Sequence, residues 1–160
     1  MDGALYPLAL IAAVGCGLTA GVFFAFSSFV MKALARLAPA QGVAAMQAIN
    51  ATAINFAFML ALFGTALACI AIAALALAHA HQSYVPYLLA GSGLYLVGVL
   101  AVTIAFNVPR NEALARVAPT SGDAPHAWTR YLAEWTAARV RTWFAALTAT
   151  VSLTLALDAG

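Results

Sequence analysis

The chain has 160 residues, 65% of them hydrophobic and 8% charged, with seven basic side chains against five acidic ones. Soluble domains carry about 25% charged residues and disordered chains are polar and charge-rich, so both classes are excluded. No basic stripe exists that would neutralise a run of phosphates, which excludes nucleic acid as a partner.

The gaps between charges define the elements. Four apolar spans are expected at about 5–31, 52–78, 86–106 and 138–157, the last charge-free only from Thr142. The runs are continuously apolar and do not alternate, so helices are expected and a barrel is not. The first run is preceded by Asp2 and by no Lys or Arg, and it is too long for a signal core, so it reads as a retained helix. The expected fold is all-α: a single four-helix transmembrane bundle, 1–160, with short interfacial helices on the cytoplasmic side. Its cytoplasmic connections would be 32–51 and 107–137.

Within the first connection, Pro39 to Asn50 reads as a short helix lying flat at the interface, with Val43, Met46 and Ile49 on one side. The second connection, His79 to Ser83, holds no Lys or Arg. In the third, Pro109 suits the first turn of a helix over Asn111–Val117, with Glu112 and Arg116 in i,i+4 register. Pro119 to Asp123 is a break, after which Asp123 or Ser121 caps a helix with Pro125 in its first turn. Every Lys and Arg lies in or beside the first and third connections. The positive-inside rule therefore predicts a cell-membrane protein with those two loops cytoplasmic and both termini outside.

Polar side chains gather at the cytoplasmic ends: Gln47, Asn50 and Asn55 around the start of the second span, Asn107 and Asn111 after the third. At the start of the fourth, Trp128, Tyr131, Trp135 and Arg139 share one helical stripe, and Arg130, Glu134 and Arg141 share another. The aromatic stripe reads either as an interfacial belt or as a wall that stacks a flat ligand. The charged stripe reads either as snorkelling surface charges or as an acid–base pair facing the bundle. Asn55, one turn inside a span, is expected to bond across helices, and Asn107 to cap the helix that follows it. Cys16 and Cys69 lie inside apolar runs and read as structural. His79 and His81 lack a third ligand nearby, so no metal site is expected. Gly17 and Gly21, and Gly91, Gly93 and Gly98, read as points of close helix packing that leave a homo-oligomer open.

Four stretches in this order carry a resemblance. They are Gly17-Leu-Thr-Ala-Gly21-Val-Phe-Phe-Ala-Phe26-Ser27, Ala45-Met-Gln-Ala-Ile-Asn50 with Asn55, Asn107-Val-Pro-Arg-Asn111, and Trp128-Thr-Arg-Tyr131 with Trp135-Thr136 and Val140-Arg-Thr142. Together they resemble the anthrone oxygenase-like family of small four-span membrane proteins. The resemblance implies oxidation of anthrones to anthraquinones by O2, with no metal or organic cofactor. It implies as partners the lipid bilayer and a hydrophobic aromatic small molecule, polycyclic and phenolic. On that basis Glu134 is the expected base, with Arg139 or Arg141, together with Asn107 or Asn111, stabilising an oxyanion and Tyr131, Trp128 and Trp135 stacking the rings. Gln47, Asn50 and Asn55 complete the expected binding set. In the family it resembles, Asn-His often stands just before Val-Arg-Thr, whereas this chain has Ala138-Arg139. The competing expectation is a non-catalytic membrane protein that binds a hydrophobic or quinone ligand or a partner subunit.

Overall fold

The computed structural model describes Met1 and residues 3–160, with backbone alone over 135–140. Five helices account for most of the chain, and there is no strand among the described residues. They are α1 (Leu5–Leu34), α2 (Pro39–Ala53), α3 (Phe56–Leu77), α4 (Val85–Ala115) and α5 (Ala124–Asp158). Of these, α1, α3 and α4 are long and apolar enough to cross a membrane, which marks the chain as a membrane protein. Helix α5 is 35 residues long, roughly 52 Å at 1.5 Å per residue. It packs along both α1 and α4, while α3 fills the other side between them.

The packing inverts the arrangement of a soluble core. On α1 the inward side is Ala9, Ala12, Ala13, Gly15, Cys16, Thr19 and Ala20, whereas Leu10, Ile11, Val14 and Leu18 point outward. The same holds on α5, where Ala146 and Ala149 are fully buried and Phe144, Leu147 and Val151 are exposed. Lipid is as apolar as leucine, so nothing drives large side chains inward. Small ones instead let backbones approach and gain dispersion contacts. Gly91 and Gly98 on α4 serve this end: an added Cβ would meet Leu153 or Ala145 of α5 at 2.8 and 2.5 Å. Gly21 and Gly93 have open space beside them, so neither is needed for the packing of these helices on one another. Cys16 and Cys69 are free thiols buried in this core.

Each end of the molecule is identifiable. At one end the Met1 amino group donates to the Gly160 carbonyl, and the Ser83 hydroxyl donates to Ala159 O at 3.1 Å. Both termini and the α3–α4 connection therefore lie together. At the other end a second core joins Met31 and Leu34 of α1, Val43 and Met46 of α2, Leu114 of α4, and Ala124, Trp128 and Tyr131 of α5. The apolar side of α2 is thus covered by protein and does not rest on lipid. Gly42 makes this fit, since a Cβ there would lie 2.5–2.7 Å from the Trp128 indole. Gln47 fixes α2 further by donating to the carbonyls of Leu114 and Val117, both at 2.9 Å, where α4 ends.

Three helices are wound as π turns for part of their length: α1 at Phe26–Val30, α3 at Leu60–Gly64, and α4 at Leu94–Ala101 and Thr103–Asn107. The expected break before Pro109 does not occur, and α4 runs through it. Proline lacks an N–H and its ring crowds the preceding turn; the wider π turn that ends at Asn107 opens that turn. Helix α3 begins later than its apolar run, because the chain is non-helical at Ile54 (φ −81°, ψ 66°) and Asn55 (φ −122°, ψ 160°).

Candidate functional site

The π-wound stretches of the three helices converge on one place. A cavity of about 920 Å³ lies toward the second core, bordered by Phe23 and Phe26 of α1, α2 from Met46 to Ala53, Ile54 to Phe63 of the break and α3, and Leu100 to Ala115 of α4. Its wall is mostly apolar, with aromatic faces from Phe23, Phe26, Phe58 and Phe63. Below its floor, the Tyr95 hydroxyl donates to Leu62 O in the π turn of α3 at 3.0 Å and lies 3.2 Å from Thr19 Oγ1. That buried contact ties α1, α3 and α4 together beneath the cavity, and a tyrosine inside an apolar run carries no signal of this role in the sequence.

The polar groups in the wall are the informative ones. Asn107 is 2% exposed, yet neither its Nδ2 nor its Oδ1 has a hydrogen-bond partner among the described residues. The same is true of Asn50 Nδ2 and Thr103 Oγ1. All three residues border the cavity. Thr103 and Asn107 are four apart on α4, so they stand on one side of that helix. A buried polar group left unpaired costs about 1–3 kcal/mol, and three such residues border this one cavity, where water or a ligand can reach them. Thr103 was not among the expected site residues, because a threonine inside an apolar run carries no visible signal. Asn107 is not the expected cap: its backbone is helical and its side chain makes no cap bond.

Not all of the expected residues share this site. Gln47, Asn50, Asn55, Asn107 and Asn111 border the cavity, but they differ in what they already hold. The Gln47 amide nitrogen is engaged by two carbonyls. Asn55 does not bond across helices: its Oδ1 accepts from Phe58 N and its Nδ2 donates to Thr52 O. It caps α3, because the extended backbone at Ile54–Asn55 leaves the first N–H groups of that helix without carbonyls. Asn111 Oδ1 accepts the Tyr131 hydroxyl at 2.7 Å, which orients its amide. Tyr131 itself is 4% exposed and stacks on Trp128 at 5.8 Å with 12° between planes. Trp128 is therefore a core side chain; it does not border the cavity and is neither belt nor ligand wall.

The charged stripe lies elsewhere. Glu134 pairs with Arg110 at 3.1 Å, and Arg110 also donates to Phe106 O at 2.7 Å. Arg141 and Arg130 are exposed on α5 and form no ion pair with Glu134. Neither Glu134 nor Arg141 borders the cavity. Trp135 and Arg139 lie outside the described side chains. The carboxylate that does reach the cavity is Glu112, 63% exposed and 3.8 Å from Arg116 in the expected i,i+4 register. Among the described residues no three His, Cys, Asp or Glu side chains come together as metal ligands would.

Comparison with known proteins gives one positive finding. Residues 54–151 match the family described as anthrone oxygenase. That segment contains α3, α4 and most of α5, and so the wall that holds Thr103 and Asn107. No curated protein and no solved structure matches the chain.

Proposed function

The chain belongs to the anthrone oxygenase family, and on that premise we propose that it is a membrane-embedded oxidoreductase that oxidises a polycyclic phenolic substrate, anthrone-like or quinol-like, with O2. The site is the cavity at the second core. The observation that carries this reading is Asn107, an amide buried in an apolar wall with both of its polar atoms unpaired among the described residues. A flat molecule with an oxygen on one edge matches that wall: rings against Phe23, Phe26 and Phe58, oxygen against Asn107, Asn50 and Thr103.

The chemistry follows from charge. A methylene flanked by aromatic rings loses a proton to leave an anion delocalised onto the ring oxygen. Donors aimed at that oxygen favour the anion more than the neutral molecule, and in a site with little water the preference is larger. The electron-rich carbon then reacts with O2; one oxygen atom remains as the new carbonyl and the other leaves as water. Glu112 is the proton acceptor best placed for this, as the only carboxylate bordering the cavity among the described residues. Tyr131 acts one step removed, by fixing Asn111. One observation favours a binding-only protein instead: Glu112 leans toward Arg116 at the surface and is not enclosed with the amides.

The membrane arrangement belongs to the same reading. Helix α5 crosses alongside α1, α3 and α4, because its second half shows lipid the same large apolar face. Lys32, Arg36, Arg110, Arg116 and Arg130 all belong to the end that holds the second core, so that end is cytoplasmic and the termini are outside. The test is aerobic incubation of the protein in lipid nanodiscs with an anthrone. Oxygen uptake with matching quinone absorbance supports the reading. Saturable binding without turnover would favour the binding-only alternative, and neither binding nor turnover would sink both.

A further inference from the structure

The cavity is open on one side, and its lips differ in chemistry. On the lip nearest the second core, Ala48, Thr52 and Glu112 are exposed. Beside them around the opening, Ile54 is 77% exposed, Ile104 53%, Phe63 45% and Val108 42%, with no charge among these four. Phe63 belongs to α3, Ile104 and Val108 to α4, and Ile54 to the non-helical break. The apolar lip therefore spans the gap between two helices. The same helices pack closely further along, where Cys69 and Ile72 of α3 and Leu88 of α4 share the main core. Contacts between them are sparse at their π-wound stretches Leu60–Gly64 and Thr103–Asn107, both of which contribute to the cavity wall.

Four large apolar side chains framing an opening would be a liability in water. Against hydrocarbon they cost nothing. The exposed residues that include the carboxylate of Glu112 suit the aqueous boundary. We propose that the gap between α3 and α4, framed by Ile54, Phe63, Ile104 and Val108, admits an uncharged, ring-sized apolar molecule from the bilayer to the amides of Asn50 and Asn107. This rests on the reading that the cavity holds substrate.

Two physical arguments select that class of molecule. No Lys or Arg borders the cavity among the described residues, so an anionic ligand finds no countercharge, and a charged molecule is costly to bring through hydrocarbon. A neutral molecule already dissolved in lipid has left its water behind. Its oxygen then gains hydrogen bonds at Asn107 without first surrendering any to solvent, which is the situation in which such bonds contribute most.

The test uses the full chain in nanodiscs and has two arms. In the first, nitroxide labels on Ile54→Cys and, separately, Ile104→Cys are exposed to O2 and to a water-soluble nickel chelate; Cys16 and Cys69 are buried and unlabelled. Collisions dominated by O2 are expected. Dominance by the chelate, or protection from both by a second copy of the chain, would overturn the proposal. In the second arm the probes are 1-hydroxyanthraquinone and anthraquinone-2-sulfonate. The neutral probe should bind and the sulfonate should not. Ile104→Trp should slow association and dissociation together by about tenfold and Ile104→Ala should quicken both, with Kd nearly constant. A changed Kd at unchanged association rate would overturn the portal and make Ile104 simple wall. If the labels report lipid but the wild-type chain binds neither probe, the substrate reading of the cavity falls, while the lip still faces lipid.

Discussion

Replacing Asn107 with leucine separates a residue kept for a ligand from one kept for the fold. Asn107 is 2% exposed and both amide atoms are unpaired among the described residues. Each buried unpaired polar group costs about 1–3 kcal/mol, and water reaching the cavity brings the sum toward the lower end of that range. Leucine removes both groups and has room to extend into the cavity. The variant should therefore be more stable than the wild type by about 1–3 kcal/mol, or roughly 2–4 °C in Tm per kcal/mol for a chain of this size. Its affinity for a neutral hydroxyanthraquinone should fall by about ten- to a hundredfold, as expected for loss of one or two hydrogen bonds to a desolvated oxygen. Thermal scans in one fixed detergent and a binding titration in nanodiscs measure the two effects. A leucine variant that is less stable and still binds would refute the reasoning, because Asn107 would then be holding the protein together.

Gly42→Ala places a methyl 2.5–2.7 Å from the Trp128 ring and should cost about 1–3 kcal/mol of stability, whereas Gly21→Ala, with open space beside it, should cost nothing measurable; parallel thermal scans compare them. Glu134→Gln breaks a partly exposed pair with Arg110 and should lower stability by less than about 1 kcal/mol, with turnover per folded molecule retained; abolished turnover would restore Glu134 as the base. Tyr131→Phe removes the bond that orients Asn111 and should weaken ligand binding a fewfold, read in the same titration, while loss of folding would show that the hydroxyl matters more to the second core.

Much of the fold was legible because lipid imposes a coarse code. Long apolar runs identified three helices that can cross a membrane, and two of the stretches that carry the resemblance, Asn107–Asn111 and Trp128–Thr142, lie within the residues that match the family. What escaped was set by tertiary contacts. The i,i+3 spacing of Val43 and Met46 is the same whether the apolar face meets lipid or Trp128, and only the missing Cβ at Gly42 decides it. Asn55 and Asn107 look alike in sequence, each beside an apolar run. The first caps a helix because the backbone extends at Ile54; the second sits unpaired because the backbone continues in a π turn. Glu134 and Arg141 share a helical side by spacing, but Arg110 comes from another helix and takes the carboxylate.

The π turns have a consequence for how variation acts on the cavity. A bond from i to i+5 encloses one residue more than a bond from i to i+4, so each such turn is an added residue absorbed without ending the helix. Everything beyond it is rotated by about 100° from where an α-helix would have put it. Removing one residue from Thr103–Asn107 would let that stretch rewind as α-helix and keep Asn111 and Glu112 near their present side of the axis, whereas removing one from an α-wound stretch would turn everything after it by about 100°, and with it Asn111 away from Tyr131. No single substitution has that effect. The site is defined by how many residues lie between its side chains as much as by what they are, and a one-residue deletion in another member of the family would give the same residue types a differently shaped chamber.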